Sequence, residues 1–526
     1  MQVHHLLEKA SKDNPHKNAV WFKDKWYTYF ELNKVADSIA YYLVEKKIRR
    51  GDRVAILHEN SFYYIAAYFG ILKAGGVVVG LNTETNSESL SYLLNDSDSK
   101  CVITQKKFNR FLISALKKCP NITDLVLTEG EASLYDELAD INVETINVIE
   151  SRKTDALEIT TIDIDLSEIV YTSGSTGKPK GVMLTHLNLV SNMRSICKYL
   201  RLTEDDRIMV ILPFFYIYGK SLLLTHILKG ASIVIDNSFV FPNKVLETMK
   251  KTEVTGFSGV PSTFMILLNR SSLKDTVLPK LRYVTQAGGS MAPAIQKEVV
   301  QAFSPAELFI MYGATEAAPR LSFLDPKFLF SKWGSIGVSV DNVDLLICDS
   351  EGNEVPQGEI GEIAARGSNI MKGYWKDPEE TSKVLRHGMY FTGDLGRMDE
   401  EGFFYVVGRT KDMIKVKGFR VGAKEIEEVI LEVDGVHETA VIGVDDPILG
   451  EAILALIISK ELDWSDETEI RRHLQSRLPP LKIPKYIEFR QSFPKNESGK
   501  ILKAKLKEEE NNKKRESKQN VRKVFS

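Results

Sequence analysis

Apolar positions recur along this chain in two rhythms that keep alternating. Leu32, Ala36, Ile39 and Leu43 fall on one helical face, and Thr28-Tyr29-Phe30-Glu31 ahead of them has capping-box spacing. Gly51-Asp52 then turns into the apolar run 53–57, of strand length. Residues 62–72 are apolar all round, as in a buried helix. Gly75-Gly76 breaks that helix, and 77–79 and 101–104 resume as strands. Residues 130–153 have weak periodicity and predict a loop with short elements. Further on, 208–212, 233–235, 281–285 and 308–311 read as strands, and 184–200, 220–228, 242–250, 261–268 and 293–302 as helices. Strand and helix in alternation predict an α/β architecture with a mainly parallel sheet, in two sheet-bearing units, 1–165 and 166–325.

The helical signal fades from Gly334. Short strands at 343–347, 359–364 and 403–407 with glycine turns predict a small, barrel-like β-rich unit. After Arg409, a stripe at Ile426, Val429, Ile430 and Val433 is followed by strands at 439–444, 453–458 and 486–489 and a helix at 469–476. This is a compact α+β unit of its own. The expected division is therefore a large domain over 1–410, a small mobile domain over 411–505, and a frayed basic tail over 506–526.

Composition narrows the class. The 526 residues are 43% hydrophobic and 27% charged, with 69 Lys and Arg against 71 Asp and Glu. That balance argues against a general nucleic-acid or membrane-surface binder. Cys101, Cys119, Cys197 and Cys348 are scattered, as expected for reduced thiols in the cytoplasm. The longest apolar run is far short of the ~20 residues that cross a bilayer, so no transmembrane segment is expected.

The chemistry concentrates at 171–182, Tyr-Thr-Ser-Gly-Ser-Thr-Gly-Lys-Pro-Lys-Gly-Val. Thr172, Ser173, Ser175 and Thr176 offer hydroxyls, and Gly174, Gly177 and Gly181 let backbone N–H groups turn inward. Lys178 and Lys180 bring charge, so the loop suits a polyphosphate. Its spacing is not that of the common P-loop. Downstream, Gln286-Ala287-Gly288-Gly289 ends a strand where a flat ring could approach. Tyr312-Gly313-Ala314-Thr315-Glu316 supplies an aromatic face, a hydroxyl and a carboxylate able to take Mg²⁺. Thr392-Gly393-Asp394 offers a carboxylate to ribose hydroxyls. Gly408-Arg409-Thr410-Lys411-Asp412 and Gly499-Lys500 complete the series.

In this order the motifs resemble those of the adenylate-forming enzymes: acyl- and aryl-CoA synthetases, nonribosomal adenylation domains and firefly luciferase. The resemblance runs from about Val3 to Lys505. It implies an active site in the cleft between the two domains, with ATP, Mg²⁺ and CoA, or the phosphopantetheine of an acyl carrier protein. It also implies roles. Thr172 to Lys180 hold the β- and γ-phosphates, Tyr312 stacks on adenine backed by Ala287, Gly288 and Gly289, and Gly313 shares that turn. Thr315 meets the α-phosphate, Glu316 holds Mg²⁺, Asp394 and Arg409 grip the ribose, and Lys411 is the hinge. Lys500 is the catalytic cation, while Lys415, Lys417 and Gly418 line the tunnel for the pantetheine thiol. The implied reaction activates a carboxylic acid to an acyl-adenylate and passes the acyl group to that thiol.

One departure stands out. Many CoA synthetases carry an aromatic-His pair after Leu212-Pro213, but here Tyr216 occupies the expected His position. Amino-acid-activating relatives place Asp nearby, and a neutral tyrosine cannot pair with an ammonium group. Tyr216, Tyr218 and Gly219 are candidates for the acyl-pocket wall. Lys220 is expected to be solvated, with pairing to a second substrate carboxylate as the alternative. The rival readings are loading of an acyl carrier protein, free-standing amino-acid adenylation, and a non-catalytic nucleotide-binding protein.

Overall fold

The computed structural model describes all residues except 153–156, 158–159, 173–177, 417–418, 447–448, 461–463, 496–500 and 525–526, and only the backbone of 419–420, 450 and 514–524. Local rules set the first elements. The Thr28 hydroxyl accepts from the Glu31 N–H at 3.2 Å while Glu31 Oε2 accepts from the Thr28 N–H at 2.7 Å, which closes the capping box of helix Tyr29–Glu45. Helix Phe62–Lys73 starts at Ser61, whose hydroxyl accepts from the Tyr64 N–H, and is buried on almost every face. Gly70 is where these two helices touch. A Cβ there would stand 2.8 Å from the Ile39 side chain and 2.9 Å from the Ala36 carbonyl.

Two large sheets carry the first domain. One has eight strands and runs, from edge to edge, through Gly373–Tyr374, Lys180–Thr185, Leu166–Thr172, Val77–Gly80, Arg53–Leu57, Ser99–Thr104, Asp124–Leu127 and Asn142–Thr145. The other has nine strands, with Arg207–Val210, Gly256–Gly259, Tyr283–Gln286 and Glu307–Tyr312 near its middle. Both are largely parallel. The largest apolar cluster joins them. Val54, Val78 and Val170 of one and Val20, Ile208 and Ile233 of the other meet across Tyr68, Phe69, Leu189 and Leu223 of the intervening helices.

The sheets do not divide where the sequence suggested. Leu166–Thr172 pairs with Val77–Gly80 and so belongs to the first sheet, whereas Asn18–Phe22 pairs with Ser232–Ile235 of the second. Each sheet completes itself with strands from the other's stretch of chain, which a pass along the sequence cannot reveal. The helix expected over 184–200 spans His186–Tyr199, because strand Lys180–Thr185 takes the residues before it.

The third unit is antiparallel. Val343–Cys348, Gly361–Gly367 and Met389–Met398 pair in turn, and Phe404–Arg409 pairs with the last. The expected barrel is absent: among the described residues the pairing forms an open path. The small domain has its own five-stranded sheet, which includes Met413–Val416, Val436–Asp446 and Gly450–Ser459. Ile426, Ile430, Ile470 and Leu474 seal it.

The tail also departs from expectation. Residues Lys503–Val524 form a helix. Leu506 is buried beside Leu454 and Leu456, and Arg490 bonds Glu509 at 3.0 Å and also pairs with Glu510. One apolar anchor and a pair of acids fix a segment whose composition reads as solvent-borne. Among the described residues no helix is long and apolar enough to cross a membrane.

Candidate active site

The glycine-rich loop joins two antiparallel strands, with Thr172 opposite Lys180 and Tyr171 opposite Gly181. Ser173, Gly174, Ser175, Thr176 and Gly177 lie outside the described residues, as do Lys417, Gly418 and Lys500. The base of the loop is firmly held. Tyr171 donates to Asp96 Oδ2 at 2.5 Å, and a Cβ on Gly181 would meet Ile169 at 2.8 Å and Trp375 at 3.1 Å. Lys178 is exposed at the rim. Lys180 pairs with Glu380 and lies 5.2 Å from the Tyr374 ring centre. Glu380 is held down to about 2 by its bonds to Lys180 and then Lys383.

Strand Gly373–Tyr374 lies against the second limb of the loop, Tyr374 opposite Val182. It brings the Tyr374 hydroxyl to Glu316 Oε1, 2.8 Å away. Burial, and then the charge of Glu316, push that phenol above its ordinary range, so it remains a donor. The backbone of Glu316 is fixed too, its carbonyl accepting from the Met371 N–H at 2.8 Å. Neither Tyr374 nor Glu380 was singled out from the sequence. The aromatic pair after glycine at 373–375 was the available signal.

Tyr312 ends strand Glu307–Tyr312, and Thr315–Ala317 forms one 3-10 turn after it. Gly313 has to be glycine, because a Cβ would sit 1.9 Å from the Pro319 carbonyl oxygen. The Tyr312 hydroxyl donates to Asp394 Oδ2 at 2.7 Å, and Arg409 Nε forms an ion pair with Asp394 Oδ1 at 2.9 Å. Asp394 and Arg409 are register partners in adjacent strands, so the sheet itself sets their spacing. Thus three predicted nucleotide contacts, from separate stretches of the chain, form one row linked by a hydrogen bond and an ion pair. Ala287, Gly288 and Gly289 follow strand Tyr283–Gln286. Gln286 Nε2 bonds the Gly289 carbonyl at 2.7 Å and holds the turn, and Gly288 has φ +83°, which favours glycine.

The candidate acyl wall is mixed. Tyr216 caps helix Ile217–Lys229 and lies against Phe215, with ring centres 4.5 Å apart. Tyr218 is buried and its hydroxyl meets Thr285 Oγ1 at 2.9 Å. Gly219 serves packing: a Cβ there would stand 2.1 Å from the Pro213 carbonyl oxygen. Lys220 is not solvated. It is 2% exposed and pairs at 2.8 Å with Glu168, itself 1% exposed, so both alternatives offered by the sequence fail. Its length lets it reach across the core, with the ammonium 4.1 Å from the Tyr68 ring centre.

Lys411 lies in the 3-10 turn Thr410–Asp412, where the chain leaves strand Phe404–Arg409 and enters strand Met413–Val416 of the small domain. Lys415 is exposed, and its N–H donates to Glu451 Oε2 at 2.8 Å. Lys424 of the small domain reaches back to the Val406 carbonyl at 2.8 Å.

A cation fits beside Glu316. Tyr374 engages Oε1, and among the described residues Oε2 carries no hydrogen bond, so one oxygen of a fixed carboxylate is available to a hard ion.

The chain is similar to known proteins along nearly its whole length. Residues 7–375 match the AMP-binding enzyme family, and 425–500 match the AMP-binding enzyme C-terminal domain. A long-chain-fatty-acid–CoA ligase of Bacillus subtilis is 33% identical, covering 96% of this chain and 94% of its own length. A feruloyl-CoA synthase of Amycolatopsis is also 33% identical, over 95% of this chain and 97% of its own. The crystal structure of the anthranilate CoA ligase AuaEII with anthranoyl-AMP superposes with a TM-score of 0.88 at 26% identity, covering 96% of each chain. The chain therefore belongs to the AMP-binding enzyme family and is an AMP-forming acyl-CoA synthetase, an acid–thiol ligase that uses ATP and CoA.

Proposed function

We propose that the row Tyr312–Asp394–Arg409 binds the nucleoside of ATP and that Glu316, oriented by Tyr374, binds its Mg²⁺. The row is the observation that carries this reading: an aromatic ring, a carboxylate and a guanidinium, mutually oriented within 2.9 Å contacts. Asp394 is held from both sides and presents its carboxylate to ribose hydroxyls without reorganisation. Ala287, Gly288 and Gly289 back the adenine, Thr315 meets the α-phosphate, and the 172–180 loop takes the β- and γ-phosphates. Mg²⁺, when bound, supplies charge neutralisation for the leaving pyrophosphate.

In the first half-reaction the substrate carboxylate attacks the α-phosphorus and pyrophosphate leaves. Lys500 neutralises charge between these anions. In the second, the CoA thiol attacks the acyl carbon and AMP leaves. The small domain, residues 411–505, turns about Lys411 between the two, and Lys415, Lys417 and Gly418 then line the thiol tunnel. The position of Lys411 between two separately packed sheets supports this. The four cysteines are unpaired and buried, which supports work in the reducing cytoplasm.

The experiment is a split assay of Lys500→Ala. Acid-dependent pyrophosphate exchange should fall by about 10²–10³, the usual loss for one aimed donor. Thioester formation from supplied acyl-AMP should be largely spared. Equal loss in both half-reactions removes Lys500 from the role.

A further inference from the structure

Arg320 is a buried cation without an anion. It is 3% exposed. Its backbone is clamped by two buried asparagines: Asn192 Oδ1 accepts its N–H at 2.9 Å, and Asn192 Nδ2 and Asn369 Nδ2 donate to its carbonyl at 2.8 and 2.9 Å. Among the described residues the side chain has only neutral company, the Tyr199 hydroxyl among it. Nε points at the thioether of Met311, 3.3 Å away, and the guanidinium lies 4.5 Å from the ring centre of Tyr218. Among the described residues no carboxylate stands within 4.0 Å of it.

Among the described residues the other buried Lys and Arg side chains, Lys73 and Lys220, are paired. Lys220 has Glu168 at 2.8 Å, Lys73 has Asp37 at 2.6 Å, and half-buried Arg282 forks onto Asp206 at 2.9 and 3.0 Å. A guanidinium carries five donors in a fixed fork, and a thioether is a weak acceptor. Taking such a group out of water without an anion is costly, so, among the described residues, a fold that pairs its fully buried lysines Lys73 and Lys220 has left this fork for something that arrives.

Its place says what arrives. Arg320 lies four residues beyond Glu316 on the same loop and stacks on Tyr218, the buried tyrosine of the helix that Tyr216 caps. It therefore stands between the nucleotide loop and the candidate acyl wall. We infer that the acid activated here carries a second carboxylate, and that Arg320 receives it as a bidentate partner. The substrate class is then dicarboxylic acids, with Arg320 as the specificity residue. This rests on the acyl wall lying at Tyr216 and Tyr218. The distal carboxylate replaces the missing counterion, and an unsubstituted chain leaves the guanidinium unpaired.

The test is pyrophosphate exchange by the full-length enzyme with matched acids: butanoate and succinate, hexanoate and adipate, dodecanoate and dodecanedioate. At one length at least, the wild type should favour the diacid in kcat/KM by roughly 10- to 100-fold, the scale of a charge-assisted bond. Arg320→Met should abolish that preference and raise exchange with the monoacid, and Arg320→Lys should retain part of the preference. Thermal melts confirm that each variant is folded. If Arg320→Met fails to fold, the wild-type ratios and Arg320→Lys decide alone. A wild type that prefers the monoacid at every length overturns the inference while leaving the ligase reading intact. So does equal loss for both members of each pair in a folded variant. No exchange with any acid would instead strike at the ligase reading itself.

Discussion

The Tyr312 hydroxyl donates to Asp394 Oδ2 across two sheets that share no strand, one built around 207–312 and the other around 343–409. Tyr312→Phe keeps the ring and removes that bond alone. A bond to a charged acceptor contributes about 1.5–3 kcal/mol, so kcat/KM for ATP should fall by roughly ten- to a hundredfold. Steady-state kinetics with varied ATP would show it. A silent substitution would mean that Asp394 is held by Arg409 alone.

Tyr374→Phe frees Glu316 Oε1 from its only hydroxyl donor among the described residues. Groups that orient a ligand in this way typically contribute 10–100-fold to metal affinity. The Mg²⁺ concentration giving half-maximal pyrophosphate exchange should rise by about that factor, with the thermal midpoint little changed. An unaltered Mg²⁺ titration would separate Glu316 from the metal.

Breaking the Lys220–Glu168 pair should be severe, because either partner alone is a stranded buried charge. Lys220→Met should cost about 3–5 kcal/mol. Combining it with Glu168→Leu should return much of that loss. Urea unfolding midpoints of the two variants make the comparison, and a double variant no better than the single one would count against the pairing.

Four histidines make stability depend on pH. Burial lowers His4 to about 3 and His58, His186 and His226 to about 4. Unfolded, each takes a proton near 6.5. Between about 4 and 6.5 the unfolded chain binds more protons than the folded one, so stability is full above 6.5 and is lost as pH falls. Each contributes at most about 1.4 kcal/mol per pH unit. Thermal midpoints should drop steeply between pH 7 and 5, and a flat profile over that range would contradict the buried, neutral assignment.

The local elements were legible because their signals are local. The Thr28–Glu31 box, the all-apolar 62–72 run and the proline-led helices at 242, 261 and 293 each form where the pattern places them. Motif spacing likewise singled out Tyr312, Asp394 and Arg409, which the fold brings into contact. What escaped was set by distant chain. Lys220 looked like a surface lysine until Glu168, on a strand of the first sheet, met its helix in the core. The tail looked solvent-borne because the pairing of Glu509 and Glu510 with Arg490 depends on a strand end that comes before it. Tyr374 offered only the faint signal of an aromatic pair after a glycine, and the pairing of its strand with 180–185 brings it to Glu316.

Val20 is the register partner of Ile233. A ribosome therefore releases the opening hairpin long before the edge it must join exists, and that ribbon waits, unmated and sticky, until the second sheet has been synthesised. Long-range pairing of this kind is slow. That edge pairs only once Ser232–Ile235 has been made, and a copy interrupted before residue 233 would leave its first strands open to any passing β-edge.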